Sequence, residues 1–463
     1  MTDAPAWVQQ FLEDIDGIRF SLDASVIKAR SLDYYWYSPI LKEQLQDKRG
    51  DVIVMPRSEA EVIRIASAAV RCGVPLTVRG GGTGNYGQCV PLESGIVLDV
   101  TGLNRISEIG KGWVRCDAGV RIANLDDACA ETGQQLLMYP STRKMATIGG
   151  FLAGGSGGIG SLRHGMLRDD GNVRWVKILT LDEVPEIIEL HGPDIQKIQH
   201  AYGTNGIILE LEIALTEFTD WVHTGALFPD YEVALRFVLE MIKAGLDCYL
   251  LTVVDRRFAQ YYTKLEQYFP NDRDAVFAMV SPGDLKRFSD AVIAHGGALS
   301  FAKTLNEIHD ENLIPAFECG WNHTTLTALK SDPDWTYLQV AYPQPIDPAI
   351  VTKQMARYGD TMFWHHEIAR MGGAVQVFAL PITRFSDRNA LYRQIAELES
   401  DGCTIYDPHV VTIEDGGMKE IDTTQIDFKK RADPFGLMNP GKTRGWTADM
   451  AVQGKTNNHS RET

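Results

Sequence analysis

The first half of the chain alternates helical and strand-like spacing. Val62, Ala66, Ala69 and Val70 recur at the three- and four-residue intervals of one helix face. A Ser58-x-x-Glu61 capping pattern precedes them, with Pro56 just upstream. Gly73 is placed to end that helix. Pro75-Leu76-Thr77-Val78 then reads as a short strand running into a glycine-rich stretch over residues 79–87. Ile96-Val97-Leu98-Asp99-Val100 and residues 113–116 read as further strands, and 124–130 as a helix stopped by Gly133. A second glycine cluster, 149–165, interrupts the periodicity altogether. Strand-like runs return at 173–181 and 207–215. This is α/β texture with short connections.

From about residue 220 the pattern changes. Amphipathic helices such as 231–244 alternate with β-like runs such as 249–254, and glycines become sparse. Residues 433–442 are rich in glycine and proline again, and the polar stretch past 451 is expected to fray. The expected divisions are 1–219, 220–425 and 426–463, with no internal repeat.

Composition narrows the function classes. With 45 Lys and Arg against 61 Asp and Glu, the 463 residues carry a formal charge of −16, which argues against a nucleic-acid partner. No apolar run approaches the length of a membrane span, and the acidic, amphipathic start is unlike a signal peptide. The seven cysteines are odd in number and form no C-x-x-C pair, so reduced thiols and a cytoplasmic location are expected. The 42 glycines are bunched rather than spread.

Three nucleotide-motif matches fail on context. Gly82-x-Gly84-x-x-Gly87 follows a strand, but Pro91 would break the helix that a Rossmann turn needs. Gly155-x-Gly157-x-x-Gly160 has no strand before it, and Gly165 comes too early for a helix. Residues 436–443 fit G-x-x-x-x-G-K-[ST], yet nothing after them reads as the sheet a P-loop requires. The glycine loops serve better as nests of backbone N–H groups that cradle an anion without a helix. Two such loops far apart in sequence suggest one long dinucleotide-like cofactor lying across both.

The stretch 51–215 resembles the FAD-binding domain of the p-cresol methylhydroxylase and vanillyl-alcohol oxidase superfamily. Within it, the likeness is to the FAD-linked oxidases that include D-lactate dehydrogenases and the glycolate oxidase flavoprotein subunit. The residues that carry it are Pro75 through Gly84, Cys116-Asp117-Ala118-Gly119-Val120, Tyr139-Pro140-Ser141-Thr142 and Thr147-Ile148-Gly149-Gly150-Phe151. Ser156-Gly157-Gly158, Arg163-His164-Gly165, Asp169 and Tyr202 through Ile208 continue the series. Asp433-Pro434-x-Gly436-x-x-Asn439-Pro440-Gly441-Lys442 is similar to the family's closing motif.

The resemblance implies an α+β chain: a two-part FAD domain, an α/β substrate cap, and a C-terminal segment that returns to the FAD domain. It implies that Arg79, Gly80, Gly81, Gly82, Thr83, Gly84 and Asn85 hold the FAD pyrophosphate. Pro140, Ser141, Thr142, Gly149, Gly150, Gly154, Ser156, Gly157 and Gly158 would lie along the isoalloxazine and ribityl parts, with His164 beyond them. Gly206, Ile207 and Ile208 would meet the adenine end, and Asn439 and Lys442 would close the site. Many covalent members carry a histidine in the first loop where this chain has Thr83, so noncovalent FAD is expected.

Oxidation at a C–H bond also needs a group that takes the proton of the adjoining hydroxyl. His409 beside Pro408 is the first candidate, followed by Tyr406, His365 and His366, with Arg370 as partner for a substrate carboxylate. Each histidine taken alone reads most simply as structural. Arg370 stands where H-E-x-x-H would need its second histidine, and the family's H-x-G-D-G-N-x-H metal signature is absent, so no catalytic metal is expected. Trp321, Trp335, Tyr337, Tyr342 and Trp364 read either as core or as an apolar substrate pocket.

The chain is thus expected to be an FAD-dependent dehydrogenase or oxidase that takes hydride from an organic alcohol, a hydroxy acid or a phenolic substrate. Oxygen, a quinone or a protein would accept the electrons, and a homo-oligomer is expected. An FAD-containing NAD(P)H-dependent reductase and a flavin-binding protein without catalysis stay open.

Overall fold

The computed structural model describes residues 5–417 and 420–452. The first sheet contains β1 (Phe20–Ser21), β2 (Val52–Val54), β3 (Leu76–Arg79) and β4 (Ile96–Asp99), in the order β1-β2-β4-β3. β2, β4 and β3 run parallel, and their Val, Ile and Leu runs are buried on both faces, as parallel strands require. The helix Glu59–Cys72 packs on them through Val62, Ile65, Ala66 and Ala69. Ser58 caps it by accepting from Glu61 N, while the Glu61 carboxylate turns back to Arg57 N rather than to Ser58. Gly73, at φ +63°, closes it in the left-handed conformation.

The second sheet is antiparallel. It contains β5 (Ile106–Gly110), β6 (Trp113–Asp117), β7 (Gln134–Leu136), β8 (Val173–Leu179), β9 (Ile187–His191) and β10 (Ile207–Glu217). The order is β5-β6-β10-β8-β9, with β7 added to β10. The glycine cluster at 149–165 is more regular than expected. Ile148–Gly154 is a helix capped by Thr147, and Ser161–His164 is a short helical turn. A Cβ on Gly149 would lie 2.6 Å from the Ala118 Cβ and 2.8 Å from the Ala118 carbonyl oxygen. That closeness excludes the side chains that would have given the helix a readable apolar stripe.

The largest sheet has eight strands: β11 (Val222–Phe228), β12 (Cys248–Val254), β13 (Asp274–Val280), β14 (Ala298–Lys303), β16 (Val340–Ala341), β18 (His365–Met371), β19 (Ala374–Ala379) and β21 (Thr404–Ile405). Its order is β14-β11-β13-β12-β18-β19-β16-β21. A small sheet of β15 (Trp335–Tyr337), β17 (Met362–Phe363) and β20 (Ile382–Arg384) stands beside it. The helices Tyr231–Lys243, Pro348–Tyr358 and Arg388–Ser400 cover one face of the large sheet. Side chains alternate across a strand, so His366 and Ile368 of β18 enter this helix-covered core, whereas Ala369 joins the opposite face with Phe378.

Residues 433–442 return to β3. Leu76 N donates to Leu437 O at 2.8 Å, and Asn439 N donates to Leu76 O at 2.9 Å. The Asp433 carboxylate accepts from Leu437 N and Met438 N and pairs with Lys429 at 2.6 Å, both partners being fully buried. Lys442 donates to Gly87 O at 2.6 Å, so the P-loop-like lysine is committed to the underside of the first glycine loop. The polar residues from 453 onward lie outside the described residues. No helix among the described residues is long and apolar enough to cross a membrane.

Candidate functional site

A cleft of about 1910 Å³, mouth included, opens between the glycine loops and the free face of the eight-stranded sheet. The loop after β3 forms one end of it, through Gly80, Gly81, Gly82, Thr83, Gly84 and Asn85. Pro140 and Thr142 stand alongside, with Gly149, Gly150 and Gly154 from the glycine helix and Ser156 and Gly157 after it. Gly206 and Ile208 line the far side. The loops are tied together: Gln88 Nε2 donates to Gly154 O at 2.9 Å, and Thr142 Oγ1 donates to Thr83 Oγ1 at 3.4 Å.

The remaining candidates for the cofactor site lie behind this lining. Ser141 is buried between Pro140 and Thr142, and Ile207 is in the core beside Leu179. Gly158 is where the chain presses on Tyr139, since a Cβ there would meet the Tyr139 carbonyl oxygen at 2.2 Å. His164 packs edge-on to Tyr249, and burial lowers its pKa to about 4. Asn439 donates to Gln88 O at 2.8 Å and Tyr202 O at 2.6 Å, bracing the loop from beneath.

Arg79 supports the first loop from below, bonding Leu32 O and lying 3.5 Å from Cys89 Sγ. Asp33 and Lys442 are buried nearby. Burial raises the Asp33 carboxyl, offset by Lys442 and Arg79, and burial lowers the Lys442 ammonium, offset by Asp33. Two cations against one carboxylate therefore lie under a loop of backbone N–H groups, an electrostatic setting that favours an anion.

Of the five candidates for substrate chemistry, Tyr406 lines the cleft. Burial raises its phenol, and Arg168 nearby pulls it partly back. His409 is buried outside the lining, with Nδ1 2.7 Å from Ser38 Oγ and Nε2 2.9 Å from Tyr337 O. His365 bonds Glu367 and Thr325, and His366 bonds Tyr231 among the helix-side aromatics. Arg370 is spent on the carbonyls of Leu162 and Gly373.

The cleft also recruits residues the sequence did not single out. Arg168 lines its rim and makes no ion pair among the described residues; its guanidinium lies 3.1 Å from Met371 Sδ. It is the only arginine or lysine among the described lining residues. Asn322, Gln339, Met371 and Phe378 come from the large-sheet side, where they join Trp321, the one of the five aromatic pocket candidates that lines the cleft. Arg168 follows Arg163-His164-Gly165 closely enough that the loop could have drawn attention to it. Phe378 and Met371 had no such signal.

The residues present fit a bound FAD. Asn85 Nδ2 and Asn322 Oδ1 are buried in the lining without a hydrogen-bond partner, a situation that calls for a ligand atom at each. Gly81 has no space for even a methyl group on its loop side, because a Cβ would lie 2.1 Å from Met145 O. The loop can lie this close to the Met145–Ala146 backbone only because Gly81 is bare.

Fold and cleft together set two glycine-rich loops around one cavity, with no Rossmann helix at the turn after β3. Residues 50–184 match the model of an FAD binding domain. The chain is 29% identical over 245 residues to a D-lactate dehydrogenase of Archaeoglobus fulgidus, covering 50% of this chain and 53% of that protein. It is 33% identical over 219 residues to a D-2-hydroxyglutarate dehydrogenase of Escherichia coli, covering 44% of this chain and 21% of that protein. The match thus spans about half of the first relative and a fifth of the second. The solved structure of an alkyldihydroxyacetonephosphate synthase has the same fold, with a TM-score of 0.72 and 15% identity over 96% of this chain and 86% of that one.

Proposed function

We propose that this chain is an FAD-dependent oxidoreductase that removes hydride from the hydroxyl-bearing carbon of a hydroxy acid. Residues 1–219 and 426–463 would act as the cofactor unit, and 220–425 as the substrate cap. The observation that carries this is a cleft walled by an FAD binding domain, with that domain's Arg168, which makes no ion pair among the described residues, at its rim close to Tyr406 of the large-sheet side. Relatives named for lactate and 2-hydroxyglutarate accord with it. The seven cysteines are free thiols, in keeping with a reducing compartment such as the cytoplasm.

The glycine loops at 80–85 and 149–157 would hold the FAD, with Arg79, Asn439 and Lys442 bracing the first loop. Bound FAD supplies the two-electron acceptor. Arg168 would hold the substrate carboxylate through its planar fork. Tyr406, its phenol held neutral by burial, would donate a hydrogen bond to a substrate oxygen rather than serve as an anionic base.

Anaerobic addition of hydroxy acids should bleach the flavin bands; bleaching by NADPH alone would favour the reductase alternative. A charge-assisted hydrogen bond contributes about 1.5–3 kcal/mol. Arg168→Met should therefore raise KM for the acid by about 10- to 100-fold, with a smaller change in kcat and partial rescue by Arg168→Lys. An unchanged KM would remove Arg168 from the site.

FAD is proposed to be noncovalent, with Thr83 in the lining where a covalent link would need a histidine. Acid precipitation should leave the yellow chromophore in the supernatant. Colour retained in the pellet would establish a covalent bond.

A further inference from the structure

The large-sheet side of the cleft carries a row of rings. Trp321 and Phe378 have centroids 6.5 Å apart at 41°, and Phe378 and Tyr406 have centroids 6.4 Å apart at 41°. All three line the cleft, on the side opposite the glycine nests.

Trp321 is held there against a conformational cost. It adopts φ +53°, a left-handed conformation unfavourable for a bulky residue, at the start of the helix Trp321–Ser331. The fully buried Glu367 secures it. One carboxylate oxygen accepts from Trp321 N at 2.7 Å, from Thr252 Oγ1 at 3.0 Å and lies 3.0 Å from His365 Nδ1. His365 Nε2 lies 3.2 Å from Thr325 Oγ1, on the same helix as Trp321. Backbone strain persists only where its surroundings over-determine it, and here they fix one wall of a ligand cleft. Glu367 and His365 are thus positioning residues for that wall.

Resting on the oxidoreductase reading above, we propose that the substrate is a 2-hydroxy acid bearing an aryl side chain. Its carboxylate lies at Arg168, its hydroxyl near Tyr406, and its ring along Phe378 and Trp321. A methyl side chain would leave this wall uncovered. A second carboxylate would meet apolar rings, because the lining described offers no arginine or lysine beyond Arg168. The substrate's Cα–H bond would break with the hydrogen and its electron pair leaving together as hydride, for which bound FAD would be the acceptor. The hydroxyl proton passes to water at the open mouth, and the C–O bond becomes the carbonyl of a 2-oxo acid. An added two-electron dye completes the turnover.

The test is dye-coupled oxidation, with anaerobic flavin bleaching in parallel, by the FAD-loaded full chain. The probes are 3-phenyllactate, lactate, 2-hydroxyglutarate and benzyl alcohol. Burying a ring the size of Phe predicts kcat/KM for phenyllactate about 100-fold above that for lactate. Glu367→Ala should lower the phenyllactate-to-lactate preference about tenfold, mainly through KM, since it removes the acceptor that holds Trp321 N, while Glu367→Gln, which keeps that oxygen, should largely retain it. If the alanine variant does not fold, the wild-type ratios decide alone. Lactate or 2-hydroxyglutarate oxidised as well as phenyllactate would overturn the aryl assignment and leave the oxidoreductase reading standing. Benzyl alcohol equal to phenyllactate would overturn the carboxylate at Arg168. No bleaching by any probe, with FAD bound, would overturn the oxidoreductase reading itself.

Discussion

Gly81→Ala is expected to give a folded protein that purifies without FAD. The φ of Gly81 lies outside the left-handed region, so conformation alone would admit alanine. The obstacle is a contact with backbone. A Cβ would lie 2.1 Å from Met145 O, 2.8 Å from Met145 C and 3.0 Å from Ala146 Cα, none of which can swing aside as a side-chain tip does. The equivalent addition at Gly84 clashes with a side-chain end, Gln88 Oε1 at 1.8 Å, with Asp33 Oδ2 at an ordinary 3.5 Å. To relieve the clash at Gly81, the loop must move into the space the cofactor would occupy. Flavin-to-protein absorbance after purification, and again after incubation with FAD, measures the result. Retention at the wild-type ratio would show that this loop does not cradle the cofactor. A drop in Tm matching the lost cofactor is expected alongside.

Stability should fall steeply as pH drops below about 6.5. His223 and His409 are buried and held neutral, with pKa lowered to about 4, and His366 is lowered to about 3; burial is the main cause in each. Their bonding agrees. His223 Nδ1 accepts from Ala316 N at 3.2 Å, which needs an unprotonated nitrogen. In the unfolded chain the same rings take up protons near pH 6.5. Between there and about pH 4 the unfolded state binds more protons than the folded one, so stability is present above the window and is lost as pH falls through it. Each ring contributes about 1.4 kcal/mol per pH unit once fully engaged, or about 4 kcal/mol for the three. Asp33 and Asp407, raised by burial, bind protons in the folded state and offset part of this. Urea midpoints at pH 7, 6 and 5 should decline progressively. A flat profile would contradict the neutral, buried state of these rings.

The parts of the chain that were legible before folding share a physical reason. The glycine loops at 80–84 and 149–157 and the return at 433–442 occur where backbone meets backbone or ligand, and only particular residue types satisfy such contacts. Asp433 is an example: its carboxylate orders the two N–H groups that bring Asn439 and Lys442 under the loop. The glycine helix Ile148–Gly154 was hidden because close packing on Ala118 removes the side chains that advertise a helix. The substrate side of the cleft was less legible. His365 and His366 differ by one position, yet strand alternation sends them to opposite sides of the sheet, and nothing local says which side is covered. His409 drew attention from its neighbours in sequence, but its surroundings are Ser38 and Tyr337. Trp321, Phe378 and Tyr406 become neighbours only when the eight-stranded sheet has formed.

The lysine beneath the first glycine loop comes 355 residues after the glycine it braces. At about 5–20 residues per second, a ribosome would need roughly 20–70 s to go from one to the other. Throughout that interval the early loop exists without Lys442 beneath it, and for most of it without the complete sheet that walls the other side of the cleft. If the braced loop is what holds the cofactor, as proposed, capture would belong to the last stage of maturation, after nearly the whole chain has been made.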